Sequence, residues 1–570
     1  MEEKKMTGYP SVDKPWLKYY DKKAVSMSLP EGSMYQFLYN ANKDYMDRVA
    51  MIYLNQKITY QKMFDNIDRL AECFAAKGIG RGDIVTIISL NTPETYYIFY
   101  ALNKIGAIAC MESVTQPSAV LLESFRNTMP KLIVILNVFV EAFKDALIDF
   151  GGNIVVISPV ESVANLIANI LNKKLGIFKM IPKELAQSYS KFNNGAISKC
   201  KLCTKSNATA VLIPTSGSTG KPKKVALTNK NINSIAFQYK VSGMRLGRGD
   251  TFIAMAPPFH AFGLSLFCHT PLCQGVILIV STDPGAQKCA KLFARYNPNL
   301  FLGSVEHAMA IMNNKKVQKL DLSNLYMMAI GGESVSDVVR DKANEFLKLH
   351  NAKINLIVGY GMSELSATAI TEMSSVWKYG SVGIPQIMTN VRIIDVESGK
   401  ELKYEEIGEI MISSPGIMKE YVDNREETEK TRILDKNGVI WLHTGDLGYI
   451  DEDGLVFIKG RIKRIFWTRD ISTGHIFKLF PDYIQEELDK LDLIKRSAVI
   501  VKPDEDRVNV AVAFIVVKES NADAEKEIVS CLKERIPEYD MPSRYVFTDT
   551  IPLLPNGKID YKKLEEIEIR

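Results

Sequence analysis

At 570 residues, with 46% hydrophobic and 24% charged side chains, the chain has the composition of a globular protein with ample core material, not of a disordered or fibrous one. That length predicts roughly three to four packing units, fewer if one is a large α/β body, with clefts where they meet. The 71 Lys and Arg against 66 Asp and Glu leave a net charge of only +5, which excludes a bulk field for nucleic acid or anionic lipid and favours a small-molecule substrate.

Met1 to Pro15 mixes Glu, Lys and Asp with no apolar centre, so it does not read as a secretory signal, and a cytoplasmic location is expected. From about Leu29 to Ile330, strand-like runs such as Ile84–Leu90, Ala210–Pro214 and Val276–Val280 alternate with helical stretches such as Pro93–Ile105, which predicts α/β units on mainly parallel sheet. Leu132–Phe143 is interrupted by Asn137 and Glu141 and is too short to span a membrane. Val163, Leu166, Ile167, Ile170 and Leu171, followed by Lys173 and Lys174, predict an amphipathic helix, packed on its own domain or touching a membrane surface. The eight cysteines are scattered and expected to be reduced; Cys200 and Cys203 with Cys268 and Cys273 have poor spacing for zinc.

After Gly380 short strands alternate with turns (Val391–Asp395, Gly408–Ser413, Trp441–Tyr449, Leu455–Ile458), predicting a β-rich subdomain over about 380–460. Beyond Gly460 the basic stretch Arg461–Arg464 leads into two helical patterns and the strands Ser497–Lys502 and Val508–Val517. The expected division is a large domain over 1–461, a hinge at 462–463 and a small α+β domain over 464–570.

The strongest local motif is Pro214-Thr215-Ser216-Gly217-Ser218-Thr219-Gly220-Lys221-Pro222-Lys223, after a strand-like run. Glycines admit close approach of backbone to an anion, hydroxyls and N–H groups donate to phosphate oxygens, and lysines neutralise them. Gly217 and Gly220 are too close, and Pro222 follows Lys221, so it is not a Walker loop. Taken alone it is also compatible with a flexible surface turn.

The loop resembles the phosphate-binding signature of the adenylate-forming superfamily of acyl-CoA synthetases, luciferases and peptide-synthetase adenylation domains. Further signatures follow in that family's order: Pro257-Pro258-Phe259-His260-Ala261-Phe262-Gly263, Gly331-Gly332-Glu333, Gly359-Tyr360-Gly361-Met362-Ser363-Glu364, His443-Thr444-Gly445-Asp446-Leu447-Gly448, Gly460-Arg461 and Pro555-Asn556-Gly557-Lys558-Ile559-Asp560. The resemblance implies a nucleotide site formed by Thr215–Lys221, Gly331, Gly332, Glu333, Gly359, Tyr360, Gly361, Asp446 and Arg461. Within it Tyr360 stacks on adenine, Ser363 approaches phosphate, Glu364 and Thr215 serve Mg²⁺, and Asp446 takes the ribose hydroxyls. It implies a large domain with a mobile C-terminal domain that brings in Lys558 for adenylation and swings about Lys463, so that one site activates a carboxylic acid with ATP and then passes the acyl group to coenzyme A. Without it Tyr360 reads equally as a core tyrosine, Asp446 as a turn aspartate and Lys558 as a solvated turn lysine.

His260 stands where amino-acid-activating relatives place an Asp, which favours a fatty or aryl acid; as a candidate site residue it is a pocket gate or a packing histidine. Phe262, Gly263, Gly303, Val305, Gly331 and Met362 are candidate pocket residues, whose glycines could open a channel. The segment from Ile465 through Gly474 to Pro481 is about six residues longer than the family pattern, which keeps an acyl carrier protein open as the alternative acceptor. A non-catalytic nucleotide-binding protein is the alternative of another class. A serine hydrolase is disfavoured because Gly361-Met362-Ser363-Glu364-Leu365 lacks the second glycine of a nucleophile elbow.

Overall fold

A computed structural model describes residues 6–569 apart from 164–169, 171–172, 175–179, 183, 216–222, 245, 465, 472–473, 519–522 and 554–558, and, for side chains, 463, 478, 568 and 569. Most of the amphipathic segment beginning at Val163 therefore lies outside the described residues, as do Ser216–Lys221 and Lys558.

Two large sheets form the body of the chain. A nine-stranded sheet runs in the order Ile384–Pro385, Ile370–Thr371, Ile357–Tyr360, Met327–Gly331, Leu300–Gly303, Thr251–Ala254, Ile277–Val280, Val49–Tyr53, Gln56–Thr59. Its central strands are parallel, with antiparallel pairs at both ends. An eight-stranded sheet runs Glu420–Tyr421, Lys224–Thr228, Thr209–Pro214, Ile108–Met111, Ile84–Ile88, Leu132–Leu136, Asn153–Ile157, Ala186–Ser188.

Helix Pro93–Ile105 shows how the two sheets share one core. Thr92 caps it by accepting from the Thr95 N–H at 3.2 Å, Pro93 opens it, and Gly106 ends it at φ 77°. Tyr96, Tyr97, Phe99 and Tyr100 cover successive faces and all are buried. A helix apolar around its circumference needs packing on every side, and here the core it joins includes strands of both sheets.

The region after Gly380 forms a third, five-stranded sheet from Asn390–Ile394, Gly408–Ser413, Ile440–Ile450, Arg432–Leu434 and Val456–Arg461. Asp446, read from sequence as a turn residue, lies inside the long strand Ile440–Ile450, opposite Arg461. The turn signal comes from a register shift at Leu447/Gly448 and from Gly445 at φ 70°, which bend the strand without ending it.

The chain then passes through a 3₁₀ turn, Ile462–Arg464, into a hairpin of Phe466–Arg469 and Ile476–Leu479. This hairpin lies in the stretch expected from sequence to be longer than the family pattern. The C-terminal sheet pairs Ile494–Asp504 with Val508–Val517, and the latter with Arg544–Phe547. Alternation along these strands buries Val499, Ala513 and Ile515 against helices Pro481–Asp489 and Ala524–Lys533, and Ala498, Ile500 and Phe514 on the face that holds Leu564 of Tyr561–Ile569.

Near its beginning the chain straps the first and third sheets together. Trp16 is fully buried beside Ile384, Leu455 and Phe457, and Tyr20 Oη donates to the Pro385 carbonyl at 3.0 Å. Removing the indole leaves a cavity among buried Ile384, Leu455 and Phe457. Trp16→Ala is expected to cost about 3–5 kcal/mol of stability, read as a lowered thermal unfolding midpoint; a midpoint equal to that of the parent chain would show that the strap is dispensable.

Candidate active site

Strand Thr209–Pro214 of the eight-stranded sheet, strand Ile357–Tyr360 of the nine-stranded sheet and the third sheet each contribute to a linked set of polar side chains. Strand Thr209–Pro214 leads into Thr215, whose N–H donates to the Lys223 carbonyl at 2.8 Å and whose Oγ1 accepts from the Lys223 N–H at 3.2 Å. These two bonds close the base of the Gly/Ser-rich loop. Lys224, the next residue, forms an ion pair with buried Glu112 at the end of the neighbouring strand, and Ser124 Oγ donates to the same carboxylate. Burial disfavours the Lys224 charge, but Cys110 and Glu112 outweigh it and raise its pKa; the adjacent Cys110 thiol is pushed up to about 12 by burial.

Tyr360 ends strand Ile357–Tyr360. Gly361 follows because a Cβ there would lie 1.8 Å from the Ala367 carbonyl oxygen, so only glycine permits the chain to fold back on itself. The fold-back places Ser363 and Glu364 in a 3₁₀ turn that ends at Ser366 with φ 62°. Tyr360 Oη donates to Asp446 Oδ2 at 2.5 Å, and Arg461 Nε lies 3.0 Å from Asp446 Oδ1. Desolvation, then the Asp446 carboxylate, holds the Tyr360 phenol well above its usual pKa, and Asp446 raises that of Arg461. One carboxylate thus joins the first sheet to the last strand before the 3₁₀ turn.

Glu364 is buried and accepts from Tyr421 Oη at 2.7 Å. The Tyr421 ring carries Lys223 Nζ 4.8 Å from its centroid, and Lys223 is also paired with Glu427. Tyr421 sits in the short strand Glu420–Tyr421 that extends the second sheet, and the Met418 N–H donates to the Glu364 carbonyl at 2.7 Å, lacing this segment to the 3₁₀ turn. Sequence reading missed Tyr421, Glu427 and the Lys224–Glu112 pair.

Gly331 pairs with Gly359 at the top of one sheet face. Period-two alternation puts Met327 and Ala329, Ile357, and Leu300 and Leu302 below them on that face, and all five line an apolar cavity of about 40 Å³. The Phe262 ring lies 3.3 Å from where a Gly331 Cβ would stand, at the upper end of this face. Gly263 opens no channel: its Cβ position is 2.0 Å from the Pro257 carbonyl oxygen, which marks tight backbone packing. Gly332 follows at φ 85°, and Glu333 Oε1 accepts from the Val305 N–H at 2.7 Å. His260 precedes helix Ala261–Leu264, its N–H donates to the Pro257 carbonyl at 3.2 Å, and its ring centroid lies 4.7 Å from that of Phe259.

The structure therefore brings together Thr215, Tyr360, Glu364, Asp446 and Arg461, with Gly331 and Gly359 nearby. Lys463 lies in the 3₁₀ turn beyond Arg461, its side chain outside the described residues.

The AMP-binding enzyme family matches residues 38–422 and the AMP-binding enzyme C-terminal domain matches 484–558. A long-chain-fatty-acid–CoA ligase of Bacillus subtilis (strain 168) is 27% identical across 97% of this chain and 98% of its own length. A 4-coumarate–CoA ligase of Vanilla planifolia is 28% identical across 87% of this chain and 86% of its own. The fold matches that of ATP-bound MatB from Rhodopseudomonas palustris with a TM-score of 0.79 at 21% identity, covering 94% of this chain and 98% of that one. With both family domains present in order along one chain, the protein belongs to the AMP-binding enzyme family of adenylate-forming acid–thiol ligases.

Proposed function

We propose that the protein activates a carboxylic acid with an apolar acyl group, a fatty chain or an aryl ring, as its adenylate and transfers it to coenzyme A. The observation that supports the substrate class is the apolar lining of the sheet face beneath Gly331 and Gly359, whose cavity of about 40 Å³ admits an acyl group only if its side chains shift. From Met327 to Gly331 that face descends about 13 Å, and Met244 and Met327 in its lining can shift to admit a chain. The ligase relatives named above act on acids with long alkyl or aryl groups, in agreement with this lining.

Both reactants of the first step are anionic, so the site must supply positive charge and donors. The loop from Thr215 to Lys223 is the natural cradle for the polyphosphate, Asp446 and Arg461 for the ribose, and the Tyr360 ring for the base. Glu364 and the Thr215 hydroxyl offer hard oxygen donors that fit magnesium, which when bound would neutralise phosphate charge and orient the leaving group. A carboxylate oxygen of the acid attacks the α-phosphorus, the bond from that phosphorus to the bridging oxygen breaks, and pyrophosphate leaves. Lys558 is assigned to this step as the cation between acid and α-phosphate. In the second step the thiol sulfur attacks the acyl carbon, AMP departs with the electron pair of the acyl–oxygen bond, and the thiol proton passes to solvent. Lys463 is assigned as the pivot between steps.

A phosphopantetheine arm on a carrier protein is the second reading of the acceptor. It is favoured by the hairpin after the 3₁₀ turn, where Trp467 and Ile476 are exposed on one face.

Three measurements test this reading. Pyrophosphate release with ATP, Mg²⁺ and a panel of short, long and aryl acids is expected only with acids bearing apolar groups, and with coenzyme A the product is acyl-CoA; acid-independent or absent release overturns it. Ala329→Phe, whose ring exceeds the cavity and narrows this face, is expected to shift preference toward shorter acids while leaving KM for ATP unchanged. Gly361→Ala is expected to displace Ser363 and Glu364 and lower kcat/KM for ATP by about 100-fold with the fold intact by circular dichroism, since misplacement by an ångström costs that order.

A further inference from the structure

Lys223 is the last residue of the loop, and its backbone is fixed to Thr215 by the two bonds that close the loop base. Its ammonium is directed away from the buried strand: it rests on the Tyr421 ring and pairs with Glu427. Glu427 is the third residue of helix Arg425–Thr431, where its own N–H donates to the Asn424 cap at 3.1 Å. Thr428 Oγ1 of the same helix accepts from the Tyr421 N–H at 2.9 Å and donates to the Asn424 carbonyl at 2.8 Å. Helix, tyrosine and loop base are therefore one framework that holds the carboxylate against the lysine. Lys223 and Glu427 are 33% and 32% exposed, so the pair is open to exchange with an incoming anion.

We propose that Glu427 is an internal counter-anion for Lys223, which nucleotide polyphosphate displaces on binding and which re-engages the lysine as pyrophosphate leaves. The proposal rests on reading the loop from Thr215 to Lys223 as the phosphate cradle. Tyr421 sits between two carboxylates, Glu427 by way of the lysine and Glu364 by a direct hydrogen bond, so it keeps Lys223 off the carboxylate assigned to magnesium. Any anion that takes Lys223 must first break its pair with Glu427. The apparent affinity for ATP and for pyrophosphate is therefore lowered by the fraction of lysine already paired.

The decisive substitution is Glu427→Gln, which removes the charge and keeps the shape. For a pair this exposed, KM for ATP and the inhibition constant of pyrophosphate are both expected to fall by about two- to fivefold, with KM for the acid unchanged and the gain lost at high salt. Glu427→Asp, which keeps a charge in the first helical turn but withdraws it from the lysine, is expected to move both constants in the same direction. Lys223→Met is expected to raise both constants and to make Glu427→Gln silent in the double variant. Unchanged or higher constants in Glu427→Gln, with Lys223→Met still weakening ATP, overturn the counter-anion role and leave the phosphate cradle standing. No effect of either substitution in an enzyme that still turns over ATP overturns the proposal and the cradle together.

Discussion

The Asp446 carboxylate is the constraint on which the rest of the site depends. One oxygen accepts from the Tyr360 hydroxyl and the other faces Arg461, so the end of the nine-stranded sheet and two strands of the third sheet are fixed to a single group. The carboxylate is nearly inaccessible, and a buried charge of this kind is tolerated only with its lone pairs occupied. A ligand that donates hydrogen bonds to Asp446 must therefore bind within a frame already set by tyrosine and arginine. Arg461 is also the last residue before the 3₁₀ turn into the C-terminal domain, so the group that orders the cleft adjoins the point about which that domain is assigned to move.

A second buried carboxylate secures the same strand from behind. Glu372 accepts from both terminal nitrogens of Arg340, at 2.9 and 3.2 Å, and from the Val358 N–H at 2.8 Å, two residues before Tyr360. Its own N–H donates to the Val358 carbonyl at 2.9 Å, and Ser381 Oγ adds a further donor. Burial raises the Glu372 pKa while the Arg340 guanidinium opposes that shift, so the fork of Arg340 is what makes an ionised carboxylate tolerable there. The strand end that presents Tyr360 and Glu364 is thus held by a bidentate pair on one side and by the fold-back at Gly361 on the other.

What the sequence made legible is what short-range chemistry determines. Thr92, Pro93 and Gly106 announce helix Pro93–Ile105 within its own residues, and alternation locates Gly408–Ser413 and Val508–Val517. The strand around Asp446 is legible as Trp441–Tyr449, but the flanking glycines make Asp446 itself look like a turn residue, and only the cross-strand register shows that pairing continues through it. Among the described residues the C-terminal part has three α-helices where the sequence suggests two, and of these Tyr561–Ile569 offers a core little beyond Leu564. In the site, signature residues were identified by resemblance. Tyr421 and Glu427 were not, since the contacts that give them meaning cross 57 and 204 positions of chain.

The near balance of charge along the chain also holds inside the cleft. Glu364, Asp446 and Glu427 face Lys223 and Arg461 in a site whose reactants are anionic. Cations gathered alone in a partly desolvated cleft would repel one another and depress their own charge. Interleaving carboxylates hold Lys223 and Arg461 oriented, and Asp446 favours the charged form of Arg461; the Lys223–Glu427 pair is the one proposed above to exchange with polyphosphate. The buried pairs, Lys224 with Glu112 and Arg340 with Glu372, have no such exchange open to them and serve as fixed supports. Exposure separates these pairs: Lys224–Glu112 and Arg340–Glu372 are largely dry, whereas Lys223–Glu427 is partly open to water.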